Sequence, residues 1–158
     1  VDGMTDWLRW TAPVAAFVSI AAPAYAAPYM SVEEAQKHAF PNASFTEVQA
    51  GRVWKVQGGG AGGYFYYDHV VGKHLLIDYT VAVGADGRVR RVDILNYRES
   101  YGGEVNDPSW LAQFVGKSSQ SDVRVNSDIR NISGATLSST HLAEGVKKVL
   151  MYHASHFR

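Results

Sequence analysis

The chain has no cysteine in its 158 residues. That excludes disulfides, thiolate metal sites, cysteine-ligated iron–sulfur clusters and cysteine-attached haem. It also lacks an excess of either charge: fifteen lysines and arginines balance fifteen aspartates and glutamates. Nucleic-acid binders normally carry a basic surplus, so no nucleic-acid partner is expected. The six histidines are scattered and none falls in a His-Glu-x-x-His or comparable spacing, so no metal site is expected. His153 and His156, close to the C-terminus, read as solvent-facing. No internal repeat is visible.

A long apolar run is missing as well. The longest, Thr11 to Ala26 (TAPVAAFVSIAAPAYA), is short for a membrane span. It ends in Ala24-Tyr25-Ala26, the small-residue pattern of a signal-peptidase site, and Arg9 precedes it, although Asp2 and Asp6 dilute the basic end. The expectation is an export signal over residues 1–26, with an uncleaved membrane anchor as the alternative. The mature domain would cover residues 27–158 and lie in the periplasm or another extracytoplasmic space, membrane-associated if the anchor is kept. About 130 residues make one ordinary domain.

What is present reads as α+β. Ser31 with Glu34 three residues later is a capping box, and Pro41 stops the short helix between them. Glu47 to Gln57 reads as a strand interrupted at Ala50-Gly51. Gly58 to Gly63 resembles a phosphate loop in composition, but the aromatic strand Tyr64-Phe65-Tyr66-Tyr67 follows it where a phosphate loop needs a helix, so it reads as a turn. A turn is expected over His69 to Lys73. Leu75, Ile77, Tyr79, Val81 and Val83 alternate as a half-buried strand, and the Asp86-Gly87 turn leads to a return strand from Val89 to about Tyr97. The economical topology is an antiparallel meander packed with a few α-helices. Asp107-Pro108 opens a helix whose apolar side holds Trp110, Leu111, Phe114 and Val115, and Gly116 closes it. In the last helix Leu142, Val146, Val149 and Leu150 form one apolar face.

The segment entering that last helix is where chemistry is most legible. Ser133-Gly134-Ala135-Thr136 is small and hydroxylated, and Ser138, Ser139 and Thr140 are each candidates for the N-cap. Thr136 thus stands beside a helix N-terminus, where free N–H groups and the helix dipole favour an anion. On local physics alone, an ordinary capped loop and an anion site both remain open. A second candidate stretch, Tyr97 to Glu104, follows a strand end, where sites are often built.

Together these residues resemble the FMN-binding domain family, relatives of the FMN-carrying subunits of sodium-pumping and Rnf-type membrane oxidoreductases. The resemblance rests on Ser133-Gly134-Ala135-Thr136 with Leu137-Ser138-Ser139, the Gly72-Lys73-His74 turn, the Asp-Gly hairpin, Tyr97-Arg98-Glu99, Tyr101-Gly102-Gly103-Glu104 and Gln113 to Lys117. It implies FMN joined to the motif threonine, here Thr136, through a phosphoester installed from FAD by a separate Mg²⁺-dependent flavin transferase. It also implies an exported electron-transfer protein, a carrier rather than a self-sufficient enzyme, that exchanges electrons with a cytochrome or a membrane oxidoreductase. The cofactor-binding residues it implies are Ser133, Gly134, Ala135, Thr136, Leu137, Ser138 and Ser139, with Tyr97, Arg98, Glu99, Tyr101, Gly102, Gly103 and Glu104 as the ring-side wall and Arg98 or Arg130 near the phosphate. No catalytic residue is assigned.

One departure stands out. The family motif usually carries an acidic residue three positions before its serine; here that position is Arg130, and Asp128 lies two residues too early. Either the acid is dispensable or FMN is held without a covalent bond. Two other functions stay open: a flavin-dependent reductase of a small substrate, with Tyr101, Glu104 or His74 as proton donor, and a binding or sensor module without flavin.

Overall fold

A computed structural model describes residues 28–157. The expected export signal and its cleavage point lie outside them. Helix α1 (Val32–Ala39) starts as expected: Ser31 accepts from the Glu34 amide, and the Glu34 carboxylate accepts from the Ser31 amide. Five strands follow, β1 (Ser44–Gln49), β2 (Val53–Gln57), β3 (Gly63–Val71), β4 (Leu76–Gly84) and β5 (Val89–Tyr97). Each pairs antiparallel with the next, in the order β1-β2-β3-β4-β5. The glycine-rich run is the β2–β3 connection, as its following aromatic strand requires.

Ahead of the last helix, three boundaries differ from the sequence reading. The interrupted strand over 47–57 is a full hairpin, because Gly51 takes φ +66° and reverses the chain. His69 to Val71 stay in β3, paired with Asp78 to Leu76; the turn is Gly72 to Leu75, closed by the Gly72 amide on the Leu75 carbonyl at 2.8 Å. Helix α2 (Pro108–Leu111) is capped by Asp107 as expected but is only one turn long. It tightens into a 3-10 turn over Ala112–Phe114, because Gly116 and Lys117 must pair with the backbone of Val89. Val115 consequently faces solvent instead of the core.

The meander has a different layer on each face. Ile77, Tyr79, Val81 and Val83 of β4, with Val92 and Ile94 of β5, pack against Leu142, Val146 and Leu150 of helix α3 (Thr136–His156). On the other face Val56, Phe65, Ala82 and Leu95 pack against Ala35, Ala39 and Phe40 of α1 and its end. This is an α+β fold with one sheet between helices. Among the described residues, no helix is long and apolar enough to cross a membrane.

Helix α3 comes unusually close to the sheet at Gly145. A Cβ there would lie 2.5 Å from the Tyr79 hydroxyl and 2.7 Å from Val70 Cγ1. Tyr79 is fully buried and cannot swing aside. Further along α3, His153 is buried rather than solvent-facing, which corrects the sequence reading. It faces the sheet one turn after Val149, and its Nδ1 lies 2.7 Å from the Tyr66 hydroxyl. Burial pushes the His153 imidazole below its usual pKa and the Tyr66 phenol well above its own. The neutral ring therefore accepts a hydrogen bond from the phenol O–H at Nδ1.

Two tests follow from this packing. Gly145→Ala gains about 1 kcal/mol of helix propensity but overpacks a rigid contact at a cost of about 1–3 kcal/mol; a thermal melt should show a lower Tm. For His153, the folded pKa lies below the unfolded value near 6.5, so its contribution to stability is present above that pH and is lost as pH falls toward the folded pKa. His153→Gln keeps a partner for Tyr66 and does not titrate, so the fall in Tm between pH 7 and 5 should be shallower than in the parent.

Candidate functional site

The approach to α3 is held from below. Asp128 accepts from the amides of Val123 and Arg124 at 3.0 and 2.9 Å and pairs with Lys117 at 3.3 Å. Partial burial pushes its carboxyl up, but these bonds outweigh it and leave the pKa lowered. Asp128 is thus committed to its own loop. Next, Trp110 Nε1 donates to the Arg130 carbonyl and the Arg130 amide donates to Gln113, both at 2.8 Å. Ile132 to Ala135 then make a tight turn, with the Ala135 amide on the Ile132 carbonyl at 2.9 Å and Gly134 at φ +81°. A Cβ on Gly134 would meet nothing within 4 Å, so the backbone conformation, not crowding, calls for glycine here.

Helix α3 begins at Thr136 itself, with Ala135 in the N-cap position and no side chain capping it. This corrects the expectation that Ser138, Ser139 or Thr140 caps the helix. Ser138 and Ser139 are buried within the first turn. Ser139 Oγ donates back toward the Ala135 carbonyl at 2.9 Å, and Ser138 Oγ lies 3.2 Å from the Tyr97 hydroxyl. The first bond of the helix runs from the Ser139 amide to the Ala135 carbonyl at 3.0 Å. The N–H groups of Thr136, Leu137 and Ser138 precede it and point out of the helix end. Thr136 and Leu137 are exposed beside them, as are Ser133 and Gly134, while Ala135 is buried.

The Tyr97–Glu104 stretch does fold against this helix end. Gly102 is in the left-handed region at φ +86°, where an added Cβ would strike the Tyr97 hydroxyl and come within 3.0 Å of Ala135 Cβ. Its members have separate tasks, however. Tyr97 is a buried strut: its hydroxyl donates to the Tyr101 carbonyl and touches Ser138, so it does not form an open wall. Arg98 points to the opposite face of the sheet, where it pairs with Asp78 at 2.7 Å and donates to the Leu76 carbonyl at 3.0 Å. Strand alternation puts it there, and it does not meet a phosphate at Thr136. Glu99 accepts from the amides of His74 and Leu75, which hold its carboxyl below the usual range. It ties the β3–β4 turn to the end of β5. Tyr101, 86% exposed, lines one open groove with Gly102, Gly103, Glu104 and Asp107.

Three more residues shape this neighbourhood, of which the sequence singled out only Gly72, as part of a turn. Gly72 lies where a Cβ would meet Ser138 Oγ and Glu99 Cγ at 3.2 and 3.3 Å. His141 Nδ1 is 2.7 and 3.0 Å from the carbonyls of Val71 and Gly72, so that nitrogen carries the proton and pins the turn to α3. Asn131 Nδ2 donates to Thr136 Oγ1 at 3.2 Å. Only the position of His141, four residues after Leu137, hinted at a shared helix face.

The arrangement suits a phosphate group: uncapped amides, the positive end of a 21-residue helix and an exposed hydroxyl in one place. No curated protein matches the chain. A family model described as FMN-binding domain matches residues 72–151, about half of the chain, from the Gly72 turn to near the end of α3. That span contains both stretches assembled above, and the chain accordingly belongs to the FMN-binding domain family, with FMN as its cofactor.

Proposed function

We propose that the protein is an exported electron carrier whose FMN is bound through a phosphoester to Thr136. One observation carries this reading: an exposed threonine hydroxyl stands at the first position of an uncapped helix, within Ser-Gly-Ala-Thr. When bound, FMN supplies one- and two-electron redox chemistry. The chain supplies position and charge. The amides of Thr136 to Ser138 and the helix dipole face the phosphate, an interaction worth about 0.3–1 kcal/mol when exposed and up to about 2 when partly buried. Leu137 and the Tyr101 ring, both exposed beside the helix start, are the surfaces available to the isoalloxazine. Maturation would require a flavin transferase. Electrons would pass to or from a cytochrome or membrane oxidoreductase in the periplasm or another extracytoplasmic space, where a covalent bond prevents loss of the cofactor by dilution.

Arg130 favours a second reading, with FMN held non-covalently. Its backbone is fixed by Trp110 and Gln113, and its side chain is exposed at the position where the family motif carries an acid.

Thr136→Ala should abolish flavin fluorescence on a denaturing gel after co-expression with a flavin transferase. Because Thr136 caps nothing, the cost in stability should stay within about 0.5 kcal/mol, as for other surface changes. Flavin retained in this variant, or mapped by peptide mass to Ser133 or Ser139, would contradict the assignment. Arg130→Asp should be flavinylated at least as fast as the parent in a timed assay; slower modification would mean that the arginine is no handicap.

A further inference from the structure

Asn131 stands beside Thr136, five residues before it in the chain. It is exposed, yet both ends of its side-chain amide are engaged. Nδ2 donates to Thr136 Oγ1 at 3.2 Å, and Oδ1 lies 3.2 Å from Ser139 Oγ, whose single proton it shares with the nearer Ala135 carbonyl. Ser139 is fully buried and lies within reach of the Ala135 and Thr136 carbonyls at 2.9 and 3.2 Å, so it is a fixed point. The backbone just before Asn131 is fixed too, since Trp110 and Gln113 hold both polar groups of the Arg130 main chain. The amide thus spans from a rigid anchor to one exposed hydroxyl.

We infer that Asn131 is a positioning residue for Thr136: it holds the hydroxyl in one rotamer and keeps an N–H donor on Oγ1 before and after modification. The inference rests on Thr136 being the flavin attachment site. Thr136 opens the helix, so no preceding helical turn restricts its χ1 and the side chain is free to divide between rotamers. The Asn131 donor selects between them. In the transfer, Thr136 Oγ1 attacks the phosphorus of the FMN half of FAD and an Oγ1–P bond forms. The bond from that phosphorus to the oxygen bridging the two phosphates breaks, AMP departs with the bonding pair, and the threonine proton passes to solvent or to the departing phosphate. A partner that accepted the threonine proton would be stranded once the ester formed. A donor is not, because Oγ1 keeps a lone pair in the ester. An N–H aimed at Oγ1 also favours the negative charge that develops as the proton leaves.

The test uses full-length parent, Asn131→Ala and the isosteric Asn131→Asp, which replaces the donor by an acceptor. Single-turnover flavinylation with transferase, Mg²⁺ and saturating FAD should slow by about tenfold or more in both variants, less than the ~10²–10³ of a buried oxyanion donor because the site is exposed. The concentration of protein giving half-maximal rate should stay near the parent value. Independently of any flavin, three-bond couplings to Thr136 Cγ2 in the unmodified protein should report one χ1 rotamer in the parent and averaging in Asn131→Ala. Parent-like rates in either variant, or a single unchanged rotamer in Asn131→Ala, would overturn the proposal. A parent that takes no flavin would overturn the assignment of Thr136 instead, and the couplings would still decide on Asn131. If Asn131→Ala fails to fold, Asn131→Asp carries both measurements, with averaging or a changed rotamer expected.

Discussion

The contact between α3 and the sheet at Gly145 governs the rest of the molecule. With no side chain there, the helix backbone settles directly onto Tyr79 and Val70. Leu142, Val146 and Leu150 on the same stripe then complete the core. This fixes the height and direction of a 21-residue helix, and hence where its N-terminus emerges: beside the β3–β4 turn and the end of β5. The candidate site is the end of a strut whose middle is clamped. A small displacement at Gly145 would be transmitted along the helix to Thr136, because packed interiors yield little.

Around that end, three acidic side chains are committed to backbone amides. Glu99 serves the His74–Leu75 turn, Asp128 serves Val123 and Arg124, and Asp107 caps α2. All three carboxyls are shifted downward. Each such shift supports the fold above the ordinary carboxylate pKa and is lost as pH falls through the lowered value. The loops flanking the site are therefore fastened at neutral pH without drawing on the amides of Thr136 to Ser138. Those amides are left for an external anion, and the neighbouring hydroxyl is left exposed.

The elements governed by periodicity and capping were readable from the sequence. The Ser31 capping box, the β4–β5 hairpin and the apolar face of α3 all follow from local residue patterns that tertiary contacts reinforce. The meander and the α+β class followed from them. What escaped was set by distant partners. His153 looked solvent-facing near the chain end, but strand β3 brings the Tyr66 hydroxyl to it. Arg98 adjoined the candidate loop in sequence, yet alternation sends it through the sheet to Asp78. Ser138 and Ser139 had the chemistry of caps, but the helix begins two residues earlier and buries them. Asn131 gave no signal of its own, since its role depends on a five-residue reach across a turn to Thr136.

The proposed electron-carrier role depends on the hydroxyl at the start of α3 carrying the flavin. Intact mass and visible spectrum of the protein produced together with a flavin transferase test it most directly. The expected result is a yellow protein whose mass exceeds that of the polypeptide by one FMN less one water, with the colour surviving denaturation and gel filtration. A colourless protein of unmodified mass, or a yellow one that loses its flavin on denaturation, would contradict it.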